Sequence, residues 1–178
     1  KTPFNESRPF SETYPVGPAP TISISNQFGE IRVATWDERV VQVNAQITVG
    51  AERAEVTPEV LNAISVQSVH SEELVEVKTV FSETRPEWGY VAMSVNYTIT
   101  IPKTASLITS NFFGDTMVQG PGGQVAVEAQ YGAVEINDAI GSVKVRTHGE
   151  FPVRARGLAA GGVFQLHNAQ AEFSEIDG

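Results

Sequence analysis

Apolar and polar residues alternate along most of the chain, which is the pattern of half-buried β-strands. The alternation is clearest over residues 91–101, a long strand that we expect to end at Pro102. Two further runs, residues 64–69 and 74–80, are separated by a polar stretch and predict a β-hairpin. The pattern therefore predicts an all-β fold.

One segment interrupts the two-residue period with a helix-start signal. Thr57, Pro58 and Glu59 supply an N-cap residue, a proline suited to the first helical position and an acidic first turn. Apolar residues at helical spacing follow. The sequence thus predicts one short helix over about residues 58–65.

The first twenty residues contain five prolines, which interrupt any regular set of backbone hydrogen bonds. We expect residues 1–20 to form an extended N-terminal arm, with apolar side chains such as Phe4 and Tyr14 that can dock on a sheet. Residues 21–178 are expected to form a single β-solenoid-type domain.

A short repeat punctuated by glycine runs from about residue 111 to residue 178, and glycines 114, 123, 132 and 141 are nine residues apart. Each glycine is followed by alternating apolar residues, and two series of such units alternate. The first series comprises residues 113–118, 131–136 and 148–153, and the second comprises residues 122–127, 140–145 and 161–166. One coil therefore takes about eighteen residues and contains two strands. An earlier copy occupies residues 28–33.

A unit this short cannot bury its own apolar face, so the repeats must stack to form a core. Aligning the glycines predicts two columns of core residues, namely Thr116, Val134 and Phe151, and Val125, Val143 and Phe164. The predicted architecture is a β-solenoid, a single-stranded β-helix-like repeat array with the short helix and a hairpin insertion. An antiparallel meander with the same turns is the alternative.

Composition narrows the range of functions. Lys and Arg number 12 against 21 Asp and Glu, and the resulting net charge of −9 disfavours nucleic acid as a partner. There is no cysteine, which excludes disulfides, thiolate nucleophiles and Cys-ligated metals. No run of eighteen apolar residues occurs, and a chain that begins at Lys1 is expected of an exported protein whose signal segment has been removed.

No motif for a metal or a nucleophile is present. Calcium-binding β-rolls need Gly and Asp where this chain has Val125 and Val127 after Gly122-Gly123, and the aspartates near corners are common turn residues. Those aspartates are Asp115, Asp138 and Asp177. The histidines, His70, His148 and His167, lack zinc-ligand spacing, and no Gly-x-Ser-x-Gly elbow occurs. We predict no catalytic, cofactor-binding or metal-binding residue and no cofactor, and binding residues stay unassigned.

Several residues are expected to face outward, where they have both a functional and a structural interpretation. Acidic side chains would serve a polysaccharide-active β-helix enzyme, although a solvated strand face explains them equally well. These are Glu128, Glu135, Asp138 and Glu150. Basic pairs form either a basic strip or cross-strand ion pairs with glutamates. These are Lys144 with Arg146, and Arg154 with Arg156. Aromatic residues at corners and turns either pack there or contact a ligand. These are Phe28, Phe113, Tyr131, Trp36 and Trp88.

Residues 97–107, Tyr-Thr-Ile-Thr-Ile-Pro-Lys-Thr-Ala-Ser-Leu, lead directly into the Gly-x-Val-x-Val coils. This arrangement resembles the bacterial putative-adhesin family, a group of exported repeat proteins with a domain of unknown function. Residues 28–37, in which a Gly-x-Ile-x-Val strand runs into Trp36-Asp37, resemble the opening of that family. The resemblance spans about residues 21–178. It implies an extracytoplasmic, envelope-associated, non-enzymatic bacterial β protein without catalytic residues.

The first hypothesis for function is a non-catalytic extracytoplasmic β-repeat module that acts as an adhesin or as a surface or assembly protein. The alternative is the extracytoplasmic sensing domain of an envelope-stress or anti-sigma-type membrane protein, and a polysaccharide-active β-helix enzyme ranks third. The expected partner is a protein or glycan of the cell envelope, at the cell surface or in the periplasm. An end-to-end homodimer through the terminal coil is also expected, because that coil leaves backbone groups unpaired.

Overall fold

A computed structural model describes residues 4–177 and consists almost entirely of β-strands. It contains fifteen strands, the helix α1 at Val56–Ala63 and a short 3-10 helix at Pro86–Trp88. The strands are β1 Phe4–Pro15, β2 Thr21–Phe28, β3 Ile31–Trp36, β4 Val40–Ala51, β5 Ile64–His70, β6 Leu74–Phe81, β7 Val91–Pro102, β8 Ser106–Phe113, β9 Thr116–Gln119, β10 Val125–Gln130, β11 Val134–Asn137, β12 Val143–His148, β13 Val153–Leu158, β14 Gly162–His167 and β15 Ala171–Ile176. The predicted all-β solenoid is confirmed.

The strands form two sheets that enclose the core. Sheet A has eight strands in the order β1-β4-β7-β3-β9-β11-β13-β15, and sheet B has seven in the order β14-β12-β10-β8-β2-β6-β5. From β8 onward the chain alternates between the sheets, so that each coil contributes one strand to sheet B and the next to sheet A. Neighbouring coils pair in parallel, as Leu107, Val125 and Val143 show. The predicted eighteen-residue coil with two strands is confirmed here.

The coils are not stacked in chain order throughout. The coil β2/β3 lies between β6/β7 and β8/β9, because β2 pairs in parallel with both β6 and β8 while β3 pairs in parallel with both β7 and β9. The sequence between β3 and β6 therefore leaves the stack and returns on the other side of β2/β3. This segment supplies β4, α1 and β5.

The predicted core columns are wrong in the last two coils. Val153, not Phe151, is the partner of Val134, and Phe151 is exposed. Phe164 is the partner of Val145 instead of Val143, because Gly162 takes the position beside Val143. The offset from Val125 to Val143 is 18 residues but that from Val143 to Gly162 is 19, so alignment on glycines loses the register.

The helix lies where the sequence predicts one, but its bounds differ. Helix α1 begins at Val56 after the N-cap residue Glu55, and Ile64 already belongs to β5. Thr57 is not the N-cap, because it lies inside the first turn and its hydroxyl donates to the carbonyl of Ala54 over 2.9 Å. Among residues 4–177, no helix is long and apolar enough to cross a bilayer.

The segment expected to be an extended arm forms β1 over its described part. Strand β1 pairs antiparallel with β4 from Phe4↔Ala51 to Pro15↔Val40. Its prolines are compatible with this pairing because β1 is the edge of sheet A, where one row of backbone donors faces away from the sheet. The hairpin predicted over residues 64–80 is confirmed as the antiparallel pair β5 and β6.

The two ends of the solenoid differ. At one end α1 packs against β1, β4 and β5 and buries Val56, Val60 and Ala63. At the other end no described residue covers β14 and β15, and Phe173 is 50% exposed although its partner Ala155 is buried. Within residues 4–177, a helix therefore covers one end of the core and no element covers the end formed by β14 and β15.

Candidate binding face

A row of aromatic rings follows one corner of the solenoid. Phe28 and Phe113 stack with their centroids 5.5 Å apart, and Phe113 and Tyr131 stack at 5.3 Å. Phe112 lies roughly perpendicular to both Phe113 and Tyr131, at 4.6 and 5.8 Å. We call these four residues the aromatic ridge. Phe112, Phe113 and Tyr131 are each 41% exposed, so the ridge is a surface as well as a packed corner.

The close stacking of the ridge depends on glycines behind it. Gly29, Gly114 and Gly132 lie over one another, and a Cβ on either of the last two would overlap the carbonyl oxygen of the glycine in the preceding coil. The amide of Asn111 joins two of these turns by donating to the carbonyls of Gly29 at 2.9 Å and Gly114 at 3.1 Å. The spacing of the rings is thus fixed by backbone contact.

A buried polar network supports the start of the ridge. Asn26 donates to the carbonyl of Val95 over 2.8 Å and accepts from the hydroxyl of Thr79 over 2.8 Å. The Thr79 hydroxyl is also 2.7 Å from that of Tyr97. Burial raises the pKa of Tyr97 to about 12, against a smaller opposing effect of the hydrogen bond with Thr79. This network ties β2 to β6 and β7 two residues before Phe28.

Beside the ridge, the outer face of sheet B carries a shallow depression along β10, which we call the trough. The depression forms because the small side chain of Ala126 on β10 lies between the larger side chains of Ile108 on β8 and Lys144 on β12. The part nearest the ridge has a volume of about 300 Å³ and is lined by Tyr131 and His148. The trough consists of three adjoining cavities that share lining residues, and together they extend along the whole of β10.

The two basic pairs predicted to face outward do so, but they differ in their partners. On sheet A, Arg154 pairs with Glu172 and Arg156 pairs with Glu175, each at 3.1 Å. On sheet B, Lys144 and Arg146 form no ion pair with any residue from 4 to 177. The Nε of Arg146 donates instead to the side-chain carbonyl of Gln165 over 3.3 Å. Of the two alternatives for these basic pairs, cross-strand pairing with glutamates is therefore observed on sheet A and not on sheet B.

The structure brings two of the three histidines together. His148 and His167 are Cα partners on β12 and β14, and their ring centroids are 6.0 Å apart. They continue the row of rings beyond Tyr131, whose centroid is 5.9 Å from that of His148. His70 is elsewhere, on the hairpin, where it packs on Tyr14 at 4.8 Å. Within residues 4–177 no three potential metal ligands converge.

The four candidate carboxylates are not assembled into one site. Glu128 is on the outer face of sheet B, whereas Glu135 is on sheet A and accepts from the side-chain amide of Asn137 at 2.9 Å. Asp138 follows β11 in a left-handed conformation, with a φ of 55°, and accepts from Gln119 at 2.7 Å. Glu150 lies in the turn between β12 and β13.

The remaining turn and tryptophan candidates have structural partners. Asp115 accepts from the backbone amide of Ala133 in the next coil at 2.9 Å. The indole of Trp36 donates to the carbonyl of Val40 at 2.8 Å. Trp88 is buried and donates to Glu59 at 3.0 Å. These contacts favour the structural interpretation of all three residues.

Sequence reasoning missed Phe112 and the trough. Phe112 follows the buried Asn111 in β8, so strand alternation alone places it on the outer face, where it joins the ridge. The trough has a weaker signal, the small outward Ala126 between the outward Ile108 and Lys144 of the neighbouring coils. That signal requires the eighteen-residue register, which the sequence also supplied.

No protein-family model matches the chain, and no curated protein matches it by sequence. Two solved structures are similar to this chain at a low level. One is a putative cell adhesion protein from Clostridium sporogenes, with 10% identity, a TM-score of 0.48 and coverage of 94% of this chain and 99% of that one. The other is a putative adhesin from Parabacteroides merdae, with 8% identity, a TM-score of 0.27 and coverage of 96% and 97%. At these values neither likeness indicates what this chain binds.

Proposed function

We propose that this chain is a non-catalytic, extracytoplasmic binding module that attaches to a component of the cell envelope, in adhesion or in assembly. The observation that carries the proposal is the aromatic ridge. Its rings come from three successive coils, and Phe112, Phe113 and Tyr131 all remain 41% exposed. Clustered exposed aromatic residues mark interaction sites, because they bury large apolar area at a small cost in side-chain entropy.

The scaffold supports the same proposal. A solenoid presents long, regular surfaces to a partner. The ridge and the trough lie on paired strands and on turns in which Gly29, Gly114 and Gly132 contact one another, a set we call the glycine column. Their side chains are therefore positioned by rigid backbone. The sequence resemblance of residues 97–107 to exported repeat proteins agrees with an extracytoplasmic location.

The sensing and enzymatic alternatives have less support. The candidate carboxylates are divided between two sheets and two turns, and a hydrolase of sugars needs two carboxyl groups flanking one bond. No described element distinguishes a sensing domain from a binding module. The enzymatic alternative remains open to a direct test: release of new reducing ends from a polysaccharide, abolished by Glu135→Gln, would contradict a non-catalytic role.

Retention on envelope material tests the proposal. We expect the purified protein to bind isolated envelope fractions or immobilised envelope glycans, and Tyr131→Asn to reduce that binding. Asparagine suits this position because Tyr131 has a φ of 53°, a conformation that asparagine tolerates.

Tyr90→Asn is the matched control, since Tyr90 is 75% exposed on the loop before β7 and lies outside the ridge. Binding that both variants reduce equally, or the absence of binding to any fraction, would overturn the proposal.

A further inference from the structure

The two long walls of the trough differ in chemistry. The β12 wall carries Lys144 and Arg146, whereas the β8 wall carries Ser110 and Ile108, which is 47% exposed. Glu128 on the floor is the one carboxylate that lines the trough among the described residues. The fixed charges therefore sum to 2 − 1 = +1, on a chain whose net charge is −9.

Arg8, Arg39 and Lys78 also form no ion pair within residues 4–177, but Lys144 and Arg146 differ from them in sharing one strand and one surface depression. Carboxylates are abundant enough on this acidic protein to neutralise such a pair. The equivalent arginines of sheet A are neutralised in this way, by Glu172 and Glu175. Lys144 and Arg146 form no ion pair with Glu128, although Glu128 is the Cα partner of Arg146 and lines the same trough. A guanidinium group binds carboxylates by parallel hydrogen bonds, and the ammonium group adds a point charge beside it.

We infer that the trough binds a linear acidic polysaccharide whose sugars carry carboxylate groups. The inference rests on the proposed function as a binding module and adds the class of ligand. A uronic acid presents a carboxylate and hydroxyl groups at its periphery and C–H groups on its ring faces. It matches a site with a cationic wall, a second wall that presents apolar Ile108 and the hydroxyl residue Ser110, and an aromatic end at Tyr131.

The shape and the charge of the trough agree with a polymer of modest charge density. The six residues of β10 extend for about 20 Å at the usual rise of a strand, so the trough has room for several sugars in a row. A uronic acid polymer has one charge per sugar, whereas duplex nucleic acid has one charge per about 1.7 Å. Two cations on a protein of net charge −9 suit the sparser polymer.

The test compares two double variants that remove the same charge from opposite sheets. Lys144→Gln with Arg146→Gln and Arg154→Gln with Arg156→Gln each change the net charge from −9 to −11. We expect the first to weaken binding of polygalacturonate about tenfold or more, since each lost charge contact contributes roughly a factor of several. The second should change the affinity less than about twofold, because its arginines already have carboxylate partners.

Salt and two other polymers complete the experiment. Wild-type binding should weaken as sodium chloride rises, and the Lys144/Arg146 variant should show a smaller salt dependence. Dextran, a neutral glucan, should bind at least about tenfold more weakly than polygalacturonate. Thermal unfolding verifies that both variants are folded.

The inference is overturned if polygalacturonate does not bind, if both double variants lose the same affinity, or if polyphosphate binds as tightly as polygalacturonate. These outcomes are distinct from failure of the proposed function. If binding to envelope fractions depends on Tyr131 but not on Lys144 and Arg146, the proposed binding module stands and the acidic polysaccharide is rejected as its ligand.

Discussion

Gly132 lies directly over Gly114, so close that a Cβ on Gly132 would overlap the Gly114 carbonyl oxygen. The obstacle is backbone, which cannot rotate aside as a side chain can. The close approach of coils at this corner also sets the distance between Phe113 and Tyr131, whose rings stack at 5.3 Å. The glycine repeat of the sequence and the aromatic ridge therefore have one physical cause.

Gly132→Ala tests this contact. We expect the free energy of unfolding to fall by about 2–3 kcal/mol, because the backbone of one coil must move away from the other. Urea denaturation followed by circular dichroism measures the change. Gly50→Ala is the control, since a Cβ there would meet the side-chain oxygen of the exposed Asn5, which can move, and we expect a change under about 0.5 kcal/mol. Equal losses in the two variants would contradict the glycine column.

Val153→Ala and Phe151→Ala test the register of the last coils. Val153 is fully buried beside Val134, so truncation should cost about 1–3 kcal/mol. Phe151 is 42% exposed. Phe151→Ala should therefore lower the free energy of unfolding by less than Val153→Ala, although it removes more atoms. Denaturant midpoints with unchanged m-values would measure both. The opposite ranking would indicate that Phe151, as the alignment of glycines predicts, is the core residue beside Val134.

Tyr97 gives a prediction for alkaline pH. Its pKa is raised by burial from 10.0 to about 12, so the folded state keeps the proton in a range where the unfolded state has lost it. The stabilisation is complete below pH 10 and is lost as the pH rises from 10 to 12, at about 3 kcal/mol in all.

Tyr97→Phe isolates this effect. Near pH 8 the variant should be about 1 kcal/mol less stable than wild type, because the hydrogen bond with Thr79 is lost. Above pH 10 the difference should shrink and then change sign, since phenylalanine does not ionise. Urea denaturation across this range, with tyrosinate absorbance as a second signal, measures it. A constant difference at all pH values would show that Tyr97 is not responsible.

The free edges that β14 and β15 present among the described residues predict self-association of this chain. Strands β14 and β15 each have one neighbour among residues 4–177, and Phe173 is half exposed at that end. Strand edges with apolar side chains recruit other edges. Sedimentation should show a dimer that forms as concentration rises and that Phe173→Lys prevents. Val69→Lys, at a 66% exposed position on the hairpin, should leave it intact. A wild-type monomer at high concentration would refute the prediction.

The features that depend on local spacing were predictable from the sequence. The nine-residue spacing of Gly114, Gly123, Gly132 and Gly141 was enough to give the coil length and its two strands, because each turn needs close backbone contact at the same point. The hairpin β5/β6 followed from a polar stretch between two alternating runs.

Features that depend on packing between distant residues could not be predicted from the sequence. The offset from Val134 to Val153 is one residue longer than that from Thr116 to Val134, and the turn containing Gly149 accommodates the extra residue. The position of Gly149 therefore does not predict how β13 pairs with β11. The absence of an ion pair at Lys144 and Arg146 depends on where the side chain of Glu128 ends, although Glu128 and Arg146 are in register. The position of β2/β3 between two later coils has no local signal, since each of its strands reads like any other.

That position has a consequence for how the protein folds. The coils from β8 onward can be added one at a time on a surface already present, as each pairs with the coil made just before it. The coil β2/β3, in contrast, must wait for β6 and β7 on one side, whose partner residues lie 53 and 66 positions later. On the other side it must wait for β8 and β9, whose partner residues lie 85 positions later. Closing such long loops is slow. We expect the first half to set the folding rate, while deletion of the last coil accelerates unfolding and leaves that rate nearly unchanged.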